Sequence, residues 1–205
     1  MSEPEPAPTS ASPALRVCVY CGSRHGRRSE YAEAARRLGR AIGERGWQLV
    51  YGGGHVGLMG EVADATLAAG GTVVGVITEA LLQREVGHRG LTELHVVRTM
   101  HERKQAMAER ADVFIALPGG IGTMEELYEV WTWRQLGYHD QPIGLLNVAG
   151  YYDAFLRSVA HMVAEGFLAA PQVDMLAIDE DAERLLLALH ERARRSVGSD
   201  DYSRI

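Results

Sequence analysis

Residues Val113-Phe-Ile-Ala-Leu117 are apolar without a break and run straight into Pro118-Gly-Gly-Ile-Gly-Thr123. A strand with one wet face alternates polar and apolar residues, so this run fits a strand covered on both faces in the middle of a parallel sheet. Short β-branched or apolar runs that end in glycine and give way to helically periodic segments recur along the chain, the pattern of successive βαβ units in an α/β protein. The spacing predicts strands near 15–21, 47–52, 72–77, 94–97, 112–117, 142–147 and 173–178. Helices are predicted near 29–45, 57–69, 99–110, 123–137, 151–165 and 180–195, with Leu38, Ala41, Ile42 and Arg45 spaced along one helix face. In open sheets of this class ligands bind beyond the carboxyl ends of the strands, so function is expected in the loops that follow them.

A chain of 205 residues, 46% hydrophobic, can bury one substantial core. A single domain is expected over 15–195, between a Pro/Ser/Ala/Glu-rich tail at 1–14 and a polar tail at 196–205, both expected to be poorly ordered. The formal charge of −6 provides no overall positive field for a nucleic-acid backbone. No apolar run approaches the roughly 20 residues that span a bilayer. The acidic, Pro-rich start lacks the order of a signal peptide, so the cytoplasm is the expected compartment. Cys18 and Cys21 lie three apart in a strand-like run and should point to opposite faces. Without a helix start or a second ligand pair they read as ordinary strand cysteines rather than a redox or zinc motif.

Three predicted strand ends carry glycines: Gly22 beside Ser23, Gly52-Gly53-Gly54, and Gly119-Gly120 with Gly122. Glycine lets backbone N–H groups approach a phosphate, and a following helix start adds unpaired donors; tight βα turns alone would also account for each loop. Neither G-x-G-x-x-G nor G-x-x-x-x-G-K-[ST] is matched, which disfavours a dinucleotide cofactor and an NTPase. Thr99-Met-His-Glu102 and Thr123-Met-Glu-Glu126 both read as capping boxes, which gives Glu126 a purely structural alternative. Arg103 and Lys104 fall early in a helix, where the macrodipole disfavours cations; an anionic partner or ion pairs with nearby glutamates would each explain them. Lys104 is the sole lysine, hence the sole candidate for a pyridoxal Schiff base, but its surroundings resemble no such site. The eight histidines form no H-E-x-x-H, and neither a metal nor a diffusible cofactor is expected.

Met100-His-Glu-Arg-Lys104 together with Pro118-Gly-Gly-Ile-Gly-Thr-Met-Glu-Glu126 resembles the paired signatures of the Lonely Guy phosphoribohydrolases, proteins often labelled lysine decarboxylases. The similarity extends over Cys18-Val-Tyr-Cys-Gly-Ser23, Val50-Tyr-Gly-Gly-Gly54 and Gln135 to Asn147. The resemblance implies a Rossmann-like, doubly wound parallel sheet with helices on both faces, in a homodimer without a nicotinamide cofactor. It implies hydrolysis of N6-substituted adenosine 5′-monophosphates, with AMP as a less selective alternative, to free base and ribose 5-phosphate. Carried over by position, the catalytic pair falls on Arg103 and Glu126. Nucleotide contacts fall on Glu85, Lys104, Gly119, Gly120, Ile121, Gly122, Thr123, Met124, Glu125 and Thr132. Gly22, Ser23, Gly53, Gly54 and Met100 are further expected contacts. Two departures from the family pattern, Arg24 and Thr78-Glu79, bear on the pocket rim or base selection. Trp131, Trp133, Leu136 and Tyr138 make a row of large side chains that suits the implied dimer. A non-catalytic nucleotide or pterin-cofactor carrier on the same scaffold is the rival reading; it would need the glycine loops but not both Arg103 and Glu126.

Overall fold

The computed structural model describes residues 15–84 and 87–195. The expected tails and Glu85 lie outside the described residues. Seven strands, β1 (Arg16–Tyr20), β2 (Gln48–Tyr51), β3 (Thr72–Thr78), β4 (Glu93–Val97), β5 (Val113–Ala116), β6 (Ile143–Leu146) and β7 (Leu176–Asp179), form one sheet. All pair in parallel in the order β4-β3-β2-β1-β5-β6-β7. The chain winds outward from β1 in one direction, then crosses back to β5 and winds outward in the other. The topological switch point therefore lies between β1 and β5, where an open α/β sheet leaves a crevice at its carboxyl edge.

The helices are α1 (Ser29–Glu44), α2 (Gly57–Ala68), α3 (Glu79–Arg84), α4 (Met100–Ala108), α5 (Ile121–Gln135), α6 (Asp153–Ala164), α7 (Ala170–Val173) and α8 (Ala182–Ala193). Alternation along β1 sorts the core into two layers. Val17 and Val19 join Leu38 and Ile42 of α1, Leu58 and Val62 of α2, and Leu185 and Leu189 of α8. Cys18 and Tyr20 join Met107 of α4, Leu127 and Val130 of α5, and Val159 of α6 on the other face. Cys21 packs against the first layer, so the two thiols point to opposite faces as the spacing required. All four residues of β5 are buried, as its unbroken apolar sequence required.

Three expectations need correction. Val173, predicted to open a strand, instead closes the single turn α7 (Ala170–Val173), which has Pro171 in its first turn, where a fixed φ and a missing N–H cost nothing. The strand starts only at Leu176. Helix α3 was not foreseen; the Thr78 hydroxyl accepts from Leu81 N at 3.3 Å and turns the chain into it as β3 ends. Finally, α5 opens at Ile121 with Gly120 as its N-cap, so Thr123 is already inside the helix and cannot form a capping box with Glu126. Thr99 does form the expected box, accepting from Glu102 N at 3.1 Å while Glu102 accepts from Thr99 N at 3.4 Å. α5 thus starts without a side-chain cap, and its first N–H groups keep no intrahelical partner.

Candidate active site

Two helices on the same face of the sheet bring the central pair together. Arg103 of α4 is 8% exposed and makes three contacts: Nε donates to Val76 O at 3.0 Å, Nη2 to Gly52 O at 3.3 Å, and Nη1 to Glu126 Oε1 of α5 at 3.3 Å. An arginine buried this way has its charge met by a carboxylate and its other donors met by strand-end carbonyls, as a desolvated guanidinium requires. Burial pushes the Glu126 carboxyl up to about 7, against the opposing pull of Arg103. Lys104 pulls it down more weakly, while Glu125 and Glu129 push it up. A carboxylate poised near neutral pH with an arginine partner is suited to charge stabilisation or proton transfer.

Lys104 points elsewhere. Its ammonium donates to Glu125 Oε1 at 2.6 Å and Glu129 Oε1 at 2.8 Å. Desolvation lowers its pKa, but the two glutamates outweigh it and leave the group raised. A Schiff-base lysine needs the opposite shift, toward a neutral amine. The ion-pair explanation of this helix-start cation is therefore the one the structure supports.

Arg103 and Glu126 line a hollow of about 250 Å³ at the switch point. Gly22 and Ser23 border it from the end of β1, and Gly120, Ile121, Gly122 and Thr123 border it from the start of α5. The loops are locked together: Gly22 N donates to Pro118 O at 3.1 Å and Leu58 N donates to Gly22 O at 3.0 Å. Gly119 is glycine for packing, since a Cβ there would overlap the Thr123 side chain. Gly120 and Gly122 are different, because a Cβ on either would meet no atom within 4 Å. Their bare backbone faces open space beside an uncapped helix start, where an anion can be held by N–H groups. Gly119 and Gly120 also border an adjoining hollow of about 430 Å³ with Arg24 and Tyr151.

Other expected contacts lie outside the first hollow. Gly53, with φ of 75°, packs toward Ile77 and Leu94, and Gly54 bridges to Gly87. Met124 packs against the second core layer, while Met100 and Thr132 are exposed. Sequence reasoning missed Met59 and Leu81, which line the hollow, and the two tyrosines that hold the glycine loop. Tyr152 Oη donates to Leu117 O at 2.6 Å, and Tyr151 Oη donates to Gly119 O. Cys21 also lines the hollow, but burial raises its thiol pKa, as it does that of Cys18, which suits neither to be a nucleophile.

His55, Asp64 and His88 cluster beyond β2. His88 Nδ1 accepts from Gly90 N at 3.1 Å, so Nε2 carries the proton and meets Asp64 Oδ1 at 2.7 Å. A metal-binding histidine donates through its second nitrogen, so this is a hydrogen-bonded clasp between α2 and the loop before β4.

Comparison with known proteins places this arrangement. Residues 59–189 match the family model described as "Possible lysine decarboxylase". The chain is 51% identical over 176 residues to the Oryza sativa subsp. japonica protein named cytokinin riboside 5′-monophosphate phosphoribohydrolase LOG, covering 86% of this chain and 73% of that one. It belongs to the Lonely Guy phosphoribohydrolase family. A Rhodococcoides fascians protein of the same enzyme name is 47% identical over 191 residues, covering 91% of this chain and 96% of its own. Among solved structures, the molybdenum cofactor carrier protein of Chlamydomonas reinhardtii superposes with a TM-score of 0.67, covering 88% of this chain and 99% of that one. At 19% identity that likeness shows the Rossmann-like fold alone. The decarboxylase wording of the family model finds no chemical support here, because the sole lysine of this Lonely Guy member is held charged by Glu125 and Glu129. Among the described residues no helix is long and apolar enough to cross a membrane.

Proposed function

We propose that this protein hydrolyses the N-glycosidic bond of N6-substituted adenosine 5′-monophosphates, and of AMP as a further substrate, to free base and ribose 5-phosphate. The observation that carries the reading is the buried Arg103–Glu126 pair in a hollow bordered by the uncapped start of α5. Leaving of the base develops positive charge on the ribose ring. Glu126 in its ionised form stabilises that charge and orients or deprotonates the attacking water. Arg103 limits the rise that burial imposes on the Glu126 pKa, so that the ionised form is reached near neutral pH, and it fixes the carboxylate in direction. Gly120, Ile121, Gly122 and Thr123 hold the 5′-phosphate through backbone N–H groups, so binding energy remote from the reacting carbon orients the ribose. A carrier on the same scaffold would have no use for a carboxylate poised at about 7 beside a buried arginine.

The test is substrate form. The 5′-monophosphate should be hydrolysed at least about a hundredfold more efficiently than the nucleoside, since phosphate binding contributes both affinity and orientation. Equal kcat/KM on adenosine and AMP would remove the phosphate role from the α5 start.

A homodimer is part of the same proposal, on the strength of the family resemblance. The aromatic row gives it less support than its sequence suggested. Trp131 is buried and donates from Nε1 to Gln172 O at 2.9 Å, and Trp133 packs against the protomer's second core layer. Leu136 is the exposed member, at 58%. Light scattering at micromolar concentration is expected to give twice the chain mass; the mass of one chain would end the dimer proposal.

A further inference from the structure

Arg103 reaches Glu126 by lying across the carboxyl ends of β2 and β3, and one neighbour on that route carries no side chain for a specific reason. Gly52 is buried and its carbonyl accepts from Nη2. A Cβ built on Gly52 would overlap Nη2 and sit 3.4 Å from Cζ and 3.5 Å from Met59 Sδ. The overlapped atom ends a side chain that is itself buried and tied at three points, so it cannot swing clear without giving up those bonds. Backbone conformation does not demand glycine at this position, because Gly52 is absent from the positive-φ residues. Gly53 is the reverse case: its φ of 75° needs glycine, and its Cβ would point at Ile77 and Leu94. Adjacent glycines therefore serve different purposes, one for the turn and one for the guanidinium.

We infer that Gly52 is a positioning residue for the reaction: its bare Cα and its carbonyl together set where the Arg103 guanidinium lies relative to Glu126. The inference rests on the catalytic reading of Arg103 and Glu126 proposed above. A methyl group at position 52 displaces Nη2, breaks its bond to Gly52 O, and tilts Nη1 away from Glu126. The other charges acting on Glu126 remain where they are: Lys104 on α4, and Glu125 and Glu129 on α5. The thiols of Cys18 in β1 and of Cys21 just beyond it are also close enough to interact with it and stay protonated. With the arginine's pull weakened, the carboxyl holds its proton to higher pH, and the acid limb of the pH–rate profile moves upward.

The test is Gly52→Ala, made in the wild type and on the Arg103→Ala background. Turnover of isopentenyladenosine monophosphate across pH, AMP affinity and melting temperature are read for each. In the wild type, kcat should fall by about tenfold to a hundredfold, as for a small misplacement of a catalytic group. AMP affinity should be retained and the acid limb should shift to higher pH. On the Arg103→Ala background the methyl occupies room the guanidinium has vacated, so melting temperature and residual turnover should not change further. Wild-type kcat with an unshifted profile in Gly52→Ala overturns the inference. So does an equal loss of melting temperature in both backgrounds, which would make Gly52 a packing residue of the β2 turn. If Gly52→Ala alone does not fold, recovery of folding in the double variant supports the seat, and failure in both overturns it. Failure of the underlying reading is seen separately, because Arg103→Ala and Glu126→Gln would then retain turnover themselves.

Discussion

Glu126→Gln is expected to lower turnover by at least about a hundredfold while leaving fold and nucleotide affinity intact. The amide keeps the shape and one acceptor oxygen for Arg103 Nη1 but cannot stabilise a developing cation or take a proton. No capping role complicates the result, since α5 starts at Ile121 and Glu126 lies beyond its first turn. Stability should move in the less usual direction. Burial raises the folded-state pKa of Glu126 to about 7 from an ordinary 4.5, so the folded protein binds this proton more tightly than the unfolded chain does. The stability from that proton is full below about pH 4.5 and is lost as pH rises through about 7. At pH 8 the wild type holds a carboxylate whose desolvation outweighs the pull of Arg103, so a neutral amide that still accepts from Nη1 should leave the variant no less stable. Melting temperatures at pH 5 and pH 8, beside turnover, check both halves. Near-normal turnover in Glu126→Gln would mean that its carboxylate is not the reacting group.

Arg103→Ala should lose turnover to a similar degree but, unlike Glu126→Gln, should also destabilise the protein. The substitution leaves Val76 O and Gly52 O without their donor and strands Glu126 without its cation. Each buried carbonyl left without its donor typically costs about 1–3 kcal/mol, while Glu126 escapes a stranded charge by taking up a proton. Without the arginine, the carboxyl should hold its proton well above its present range near 7, so whatever activity remains should rise toward alkaline pH. Turnover between pH 6 and pH 9 with thermal melting distinguishes the outcomes. An unchanged pH profile would show that Arg103 does not govern the ionisation of Glu126.

The sheet was legible in the sequence because its signals are local. The unbroken apolar run of β5, the alternation that sends Val17 and Val19 to one layer and Cys18 and Tyr20 to the other, and the Thr99–Glu102 capping box each depend on residues a few positions apart. The motif residues Arg103 and Glu126 were legible through the family resemblance. Their meeting across two helices, and the reason for it, were not, since Val76 O lies in β3 and Gly52 O just beyond β2, and backbone carbonyls leave no mark in sequence. The same gap explains the glycines. The sequence marks Gly53 and Gly54 as a phosphate loop; in the fold Gly53 packs toward Ile77 and Leu94, Gly54 bridges to Gly87, and Gly52 meets the arginine. Thr123 misled because its T-x-x-E spacing matches a capping box, whereas Pro118-Gly-Gly120 lets the helix begin two residues sooner. Tyr151 and Tyr152 fix Gly119 and Leu117 from more than thirty residues away. No periodicity could announce that contact.

Hydrolysis is read by chromatography of free base and ribose 5-phosphate after incubating the purified protein with isopentenyladenosine monophosphate and with AMP. The two products should appear in equal amounts, far in excess of the protein, with turnover lost in Glu126→Gln. Nucleotide that binds tightly but is recovered intact from the wild-type protein would contradict it and would make this Lonely Guy fold a carrier rather than a hydrolase.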